Sequence, residues 1–478
     1  MSKYIPEQQA IIDSTEPSIK VRAGAGSGKT YTLVGYADAR PDKKMLYLAF
    51  NKAIQTEAES KFGKHVNCRT THSIAYGAVG YKYKAKLAPY VKPMEVRELF
   101  NLPYLTSAQA LNTINAWLCS ADKEIDDTHA AKADVKPSFR AQVVRAARNI
   151  WAVMSDPKDT RVNIVHDGYL KLFQLSGEML DEYDIILMDE AQDANPVTSA
   201  MIMAQRGNKV FVGDKNQSIY AFRGAGNAME KIDAREYLLT SSFRFGQDIA
   251  DVANTVLQYS LGDTVQMKGL GGRSVVTDAY PHGKYALLAR TNGMLFGEAV
   301  KGLDERKKIS IIGGPESLKL SLLMDAHALL TGNKGKIFNP NIKQFENFDE
   351  MESLAEETDD AELTSLCKAT RKYGSRIPYL VTRIKNECVF TPKEAELILS
   401  TAHKAKGLEF DHVVIANDFK DPLDKDGIEI QEANLIYVVV TRAKKHLVLN
   451  EKMVAFINSP QKNVLLAAEK MKKFNRPT

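Results

Sequence analysis

Short apolar runs closed by polar or glycine-containing turns recur along the chain at 19–21, 45–50, 185–188, 210–212 and 237–239, and again at 285–289, 309–312, 412–416 and 446–449. Runs this short and rich in β-formers suit strands buried on both faces. With helix-patterned stretches between them, they predict strand-then-helix repeats, the arrangement that builds a parallel sheet covered by helices. The fold class is therefore α/β, in two lobes of similar architecture. Each lobe carries an insertion: 79–159 reads as largely helical, for example over 139–154, and 332–390 holds an acidic block at 346–362 that reads as a solvated helix face. The expected boundaries are 1–78 with 160–245 for the first lobe, 79–159 for its insertion, 246–331 with 391–478 for the second lobe, and 332–390 for a reduced second insertion.

Composition narrows this picture without naming a chemistry. A chain of 478 residues exceeds what one core usually supports, which agrees with two lobes. Hydrophobic residues at 44% and charged residues at 26% are ordinary usage and argue against a disordered or membrane class. No apolar stretch is long enough to span a bilayer and no leader pattern opens the chain, so the expected location is the cytosol, or the nucleus in a cell that has one. The net charge of +5 is too small to imply a nucleic-acid partner by itself, so any such charge must be local. Cys68, Cys119, Cys367 and Cys388 lie far apart with no C-x-x-C pair, and read as idle thiols rather than a metal or redox motif.

Chemistry enters at Ala23-Gly24-Ala25-Gly26-Ser27-Gly28-Lys29-Thr30, between a predicted strand and a predicted helix. This is the setting of a phosphate-binding loop: glycines let the backbone wrap phosphates, the helix start offers N–H groups, Lys29 reaches the terminal phosphates, and Thr30 can hold Mg²⁺. The general pattern has glycine where this chain has Ala23. Asp189 and Glu190 follow the apolar run 185–187, and adjacent carboxylates at a strand end can divide duties, Asp189 binding the metal and Glu190 polarising an attacking water. Hydrolysis also needs donors and cations where phosphate charge develops. Gln217, Arg244 and Arg442 are the candidates, although a single arginine is more often a surface or ion-pair residue.

Taken in order, Gln8, AGAGSGKT at 23–30, Phe50-Asn51-Lys52-Ala53, Thr71-His72-Ser73, DEAQD at 189–193, GDKNQSIYAFRGA at 213–225, SFRFG at 242–246, TAHKAKGLEF at 401–410 and YVVVTRAK at 437–444 resemble the helicase motifs of the superfamily 1 UvrD/Rep group. Ala23 is the form typical of those motors. Further stretches at 120–124, 166–175, 239–248, 289–292, 376–378 and 403–411 look like the helicase region of the F-box DNA helicases. No F-box is visible ahead of the motor, so a free-standing motor of that subtype is expected.

The resemblance implies two RecA-like lobes, ATP with Mg²⁺, and 3′–5′ translocation on single-stranded DNA with unwinding at duplex junctions, in repair or recombination. It also implies roles: Gln8 reads adenine, Phe243 stacks on it, Glu409 touches the ribose, and Arg244 and Arg442 contact the γ-phosphate, Arg442 as an arginine finger from the second lobe. Tyr31 stands where relatives often have arginine, so adenine packing is expected to differ. Single strands are held by aromatic faces and polar groups. Phe50, Tyr220 and Phe222 are the stacking candidates, with Phe222 where relatives often carry tryptophan, and Asn51, His72, Arg223, Arg290, Asn292 and His403 the polar ones. Aromatics beside strand ends also commonly fill core. Two other readings stand beside unwinding: a translocase that strips proteins such as recombinase filaments from DNA, and a motor subunit for a nuclease partner. The chain is expected to be a monomer in isolation.

Overall fold

Strands β1 (Ser18–Ala23), β2 (Met45–Ala49), β3 (Val66–Thr70), β4 (Ile185–Met188), β5 (Asn208–Gly213) and β6 (Arg235–Leu239) form one all-parallel sheet in the order β3-β2-β4-β5-β1-β6. The computed structural model describes residues 3–130, 136–220, 229, 232–389, 391–424 and 427–459. The sheet is apolar on both faces because alternate residues feed two different cores. Met45, Tyr47, Ile185, Leu187, Val210 and Val212 pack on one side with Leu33 and Tyr36, and Leu46, Leu48, Ile186, Met188 and Phe211 pack on the other with Leu170 and Phe173. Each fully buried aliphatic side chain of this kind contributes roughly 1.5–3 kcal/mol relative to exposure.

The stretch between β3 and β4 is helical, as its pattern predicts. Helices Tyr104–Cys119 and Pro137–Ser155 pack around Ile114, Trp117, Leu118, Val144, Ile150 and Met154. Two buried lysines tie off their ends. The Lys86 ammonium donates to the carbonyls of Val153 (2.9 Å), Asp156 (3.0 Å) and Asp159, and that of Lys171 to Ser120 (3.0 Å) and Asp122 (2.5 Å). A cation is well placed there, because the last carbonyls of a helix have no intrahelical donor.

The chain divides into two compact units: Met1–Gly24 with Gly28–Leu239, and Ala25–Ser27 with Thr240–Thr478. The second unit has a short parallel pair, β7 (Ser241–Ser242) with β8 (Lys268–Gly269). Its main sheet combines β9 (Val275–Thr277), β10 (Tyr285–Ala289), β11 (Ile309–Ile311), β12 (Leu397–Thr401), β13 (Phe410–Ile415) and β14 (Ala443–Val448). Here too every pairing is parallel, in the order β11-β12-β10-β13-β14-β9. Two parallel sheets with helical connections are the RecA-like architecture expected above.

The apolar pattern locates nine strands of the two large sheets but misses β3, β9 and β12. β3 and β9 are edge strands with polar or exposed positions, which dilutes the signal. β12 is interior and wholly buried, but its Leu-Ile-Leu run is short and passes into Ser400 and Thr401. The acidic block is the solvated helix face its pattern predicts, with Asp349, Glu350, Glu356 and Glu357 exposed and the apolar residues turned inward. Within it, Phe348, Met351 and Ala355 of helix Phe348–Glu357 are buried, Asp349 and Glu352 pair with Arg371, and Glu362 accepts the Asn292 amide. No helix among the described residues is long and apolar enough to cross a membrane.

Candidate active site

At the end of β1 the Gly24 N–H donates to the Leu239 carbonyl at 2.8 Å, and the chain turns through Gly26 (φ 71°) and Gly28 (φ 77°) into helix Lys29–Asp38. Left-handed backbone is cheap for glycine, and the turn leaves the first N–H groups of the helix facing outward from the strand end, an anion-binding arrangement. The Lys29 ammonium lies 3.4 Å from Glu190, while the Thr30 hydroxyl donates to Asp189 Oδ2 at 2.9 Å. Two separate stretches of sequence thus meet at the ends of β1 and β4.

The structure adds partners that motif reading had not singled out. Tyr47, from the buried strand β2, donates its hydroxyl to Asp189 Oδ2 at 2.8 Å. Gln192 donates Nε2 to Glu190 Oε2 (2.6 Å) and accepts the Asp214 N–H (3.0 Å) with Oε1, and Gln217 Nε2 donates to Asp214 Oδ2 at 2.7 Å. One chain of contacts therefore runs from the Glu190 carboxylate to the Gln217 amide. A tyrosine between Leu46 and Leu48 in a wholly buried strand was the available signal for Tyr47, since a buried hydroxyl needs a partner. Gly213 is constrained by the same network: a Cβ there would lie 2.4 Å from Gln192 Oε1.

Electrostatics mark the pair of carboxylates. Burial first, and the neighbouring Glu190 charge second, push the Asp189 carboxyl above the usual aspartate range, with Lys29 opposing. Glu190 itself sits at φ 51°, an uncommon left-handed backbone for a non-glycine residue and one often found at functional sites. A divalent cation beside Asp189 and Thr30 would relieve the carboxylate repulsion, so these side chains suit Mg²⁺. Two further observations fit a nucleotide: Gln8 Nε2 and Ser27 Oγ are buried and have no hydrogen-bond partner among the described residues. Such atoms cost roughly 1–3 kcal/mol each unless something pairs with them.

Ala25–Ser27 group with the second unit, where the Gly26 carbonyl accepts the Phe243 N–H at 2.9 Å and the Tyr437 hydroxyl accepts the Ala25 N–H at 3.3 Å. A Cβ on Gly26 would come within 2.6 Å of Arg244 Cβ. Arg244 forms an ion pair with Glu409 (2.6 Å) and donates to the Thr441 carbonyl (2.9 Å). Arg442 is 1% exposed and donates to the Val438 carbonyl (2.9 Å), the Leu408 carbonyl (3.3 Å) and Thr441 Oγ1 (3.1 Å). The second unit thus gathers Arg244, Glu409 and Arg442 around Thr441. Phe243 beside them is exposed, as is Tyr31 in the first unit, whose ring packs on Tyr4 at 5.2 Å.

Residues 169–233 match the UvrD/REP helicase N-terminal domain and residues 288–452 the UvrD-like helicase C-terminal domain. F-box DNA helicase 1 of Gallus gallus is 34% identical, over 94% of this chain and 49% of its own length. F-box DNA helicase protein 1 of Schizosaccharomyces pombe is 30% identical, over 91% of this chain and 55% of its own. This chain thus carries matches to both the N-terminal and the C-terminal domain of the UvrD-like helicases. It spans about half the length of those two relatives. The ATP-dependent DNA helicase HMI1, mitochondrial, of Saccharomyces cerevisiae is 24% identical over 55% of this chain and 42% of its own length.

The nucleic-acid candidates of this UvrD-like chain are distributed over both units. In the first, the exposed Phe50 ring lies 6.0 Å from that of Tyr220 at an interplanar angle of 11°. Next to Phe50, Asn51 caps helix Lys52–Glu59 by accepting the Ile54 N–H at 2.9 Å. His72 is 3.0 Å from Asp167. Phe222 and Arg223 lie outside the described residues. In the second unit, Arg290 is forked onto Glu432 (2.7–3.0 Å), Asn292 donates to Glu362 (3.2 Å), and His403 is half-buried on helix Ala402–Ala405. Arg290 and Asn292 are thereby engaged with carboxylates of their own unit.

Proposed function

We propose that this chain hydrolyses ATP with Mg²⁺ to move 3′–5′ along single-stranded DNA and to separate duplexes, in DNA repair or recombination. The observation that carries this reading is the convergence of Lys29, Thr30, Asp189 and Glu190 at two strand ends, with Gln217 joined to Glu190 through Asp214 and Gln192. Thr30 and Asp189 would hold Mg²⁺, which when bound draws off charge from the phosphates. Lys29 and the N–H groups at the helix start bind the phosphates, and the Gln8 amide, left with an unpaired Nε2, pairs with the base. Glu190 takes the proton of the attacking water, and Gln217 senses the γ-phosphate. Arg244 and Arg442 are proposed as its cationic contacts, and Phe243 and Glu409 as contacts to base and ribose.

The DNA component rests on the family and on the names of the relatives, which are DNA helicases. Phe50 and Tyr220 are proposed to stack on bases, and Asn51, His72, Arg290, Asn292 and His403 to contact the strand or relay nucleotide state. For Arg290 and Asn292 that role requires exchanging a carboxylate for DNA. Polarity is tested on duplexes bearing a 3′ or a 5′ single-stranded tail: ATP-dependent separation is expected with the 3′ tail. Separation confined to the 5′ tail contradicts the reading.

A further inference from the structure

Phe338 is 87% exposed, more than any other large apolar side chain among the described residues. Its loop is nonetheless firmly built. Ile337 before it and Ile342 after it are buried in a core with Leu329, Phe345 and Phe348. Asp325, 4% exposed on helix Leu320–Leu330, accepts the Phe338 N–H at 3.1 Å with one carboxylate oxygen and the Asn339 N–H at 2.9 Å with the other. The Asn339 side chain in turn accepts the N–H groups of Asn341 (2.9 Å) and Ile342 (3.3 Å). A buried carboxylate spent on two consecutive amides holds the backbone so that the ring is displayed to solvent.

The charged side chains within the loop itself have one sign. Residues 331–343 contain Lys334, Lys336 and Lys343, all exposed, and no acidic residue. Asn339 and Asn341 line a cavity of about 210 Å³ shared with Lys319 and with the carboxylates Asp360 and Glu362, and Lys334, Lys336 and Lys343 lie outside that lining. Lys404, whose ammonium donates to the Ser317 carbonyl at 2.8 Å, feels the charge of Lys319. An aromatic face with flanking lysines matches a nucleobase with flanking phosphates. A protein partner would instead be expected to cover a wider apolar area than one ring.

We propose that the loop around Phe338 is a nucleic-acid contact in which the ring stacks on a base while Lys334, Lys336 and Lys343 meet neighbouring phosphates. This rests on the reading that the chain acts on DNA, and it adds a contact outside the helicase motifs. The base could be unpaired or the terminal pair of a duplex end, since each presents a π-face. The test measures binding of a labelled single-stranded oligonucleotide and of a tailless hairpin to wild type and F338A by fluorescence anisotropy, and follows the indole emission of F338W. Because the ring is exposed, F338A is expected to melt at the wild-type temperature. Its affinity is expected to fall roughly 5- to 150-fold, and the introduced indole to be quenched, on whichever probe supplies the base.

If wild type and F338A bind both probes equally and the indole emission is unmoved by DNA, the proposal is overturned while the helicase reading stands. If wild type binds neither probe, the helicase reading fails and takes the proposal with it. An indole emission that responds to protein concentration and not to DNA overturns the proposal in favour of a contact between protein molecules.

Discussion

Gln8 shows how a single side chain reports on a missing neighbour. Its Oε1 accepts the Ile5 N–H at 3.3 Å, but its buried Nε2 has no partner among the described residues. The Oε1 contact serves the helix start, whereas the value of the Nε2 donor should appear only when a base is present. Gln8→Ala, which also deletes the acceptor of the Ile5 N–H, is expected to weaken ATP binding by about tenfold, to erase most of the preference for adenine over other bases, and to lower the melting temperature of the nucleotide-free protein slightly. Unchanged base preference in competition binding would sink this role. At the same scale, sequence reading identified Lys29, Thr30, Asp189 and Glu190, because each sits in a local motif with its own chemistry. It could not foresee that Arg290 would be forked on Glu432, 142 positions away, or that Asn292 would be bound to Glu362, 70 positions away. Residue type and local spacing contain no information about such partners.

The elements were legible where the hydrophobic period was long or uninterrupted. Helix Pro137–Ser155 follows from its repeated apolar positions, while the interior strand β12 was masked by the polar residues that end it. What holds the helices in place was less visible, since a lysine reads as surface. Lys86 is 2% exposed, and burial pushes its amine below the usual lysine range while Asp159 and Asp156 pull the other way. Lys86→Met keeps the apolar stem but leaves the carbonyls of Val153, Asp156 and Asp159 without their donor. A loss of roughly 1–3 kcal/mol is expected, seen as faster hydrogen exchange over the last turn of Pro137–Ser155 with β2 and β4 unaffected. Equal exchange in the variant would refute the anchoring role.

A second element-scale device joins β13 to β14. Hydrogen bonds from Lys444 (2.9 Å) and Lys445 (2.7 Å) hold the Asp411 carboxyl down at about 2, against an ordinary 3.8. A carboxyl depressed in the folded state adds stability above its unfolded pKa and loses it as pH falls through the folded one. The stability gap between wild type and Asp411→Asn should therefore be full above pH 4 and shrink towards pH 2. The pair is partly exposed, so solvent screening limits that gap to under about 1 kcal/mol. Denaturant titrations at pH 2.5 and pH 5 that give the same gap would contradict the assignment.

Across the molecule, two parallel sheets, the glycine turn that ends β1 and the two UvrD-type domain matches are the parts that the proposed nucleotide-driven machine needs. The net charge of +5 leaves little general attraction for DNA, so the proposed grip has to come from local groups, with Phe50 and Tyr220 as the candidates. The central claim is that Glu190 activates water for ATP hydrolysis and that DNA controls this step. The most direct measurement is steady-state ATP hydrolysis by wild type and Glu190→Gln, with and without single-stranded DNA, alongside ATP binding by each. Wild-type turnover is expected to rise on adding DNA, and Glu190→Gln to bind ATP normally yet turn over roughly 10²–10⁴-fold more slowly. Near-normal turnover in the variant, or a wild-type rate indifferent to DNA, would contradict the account.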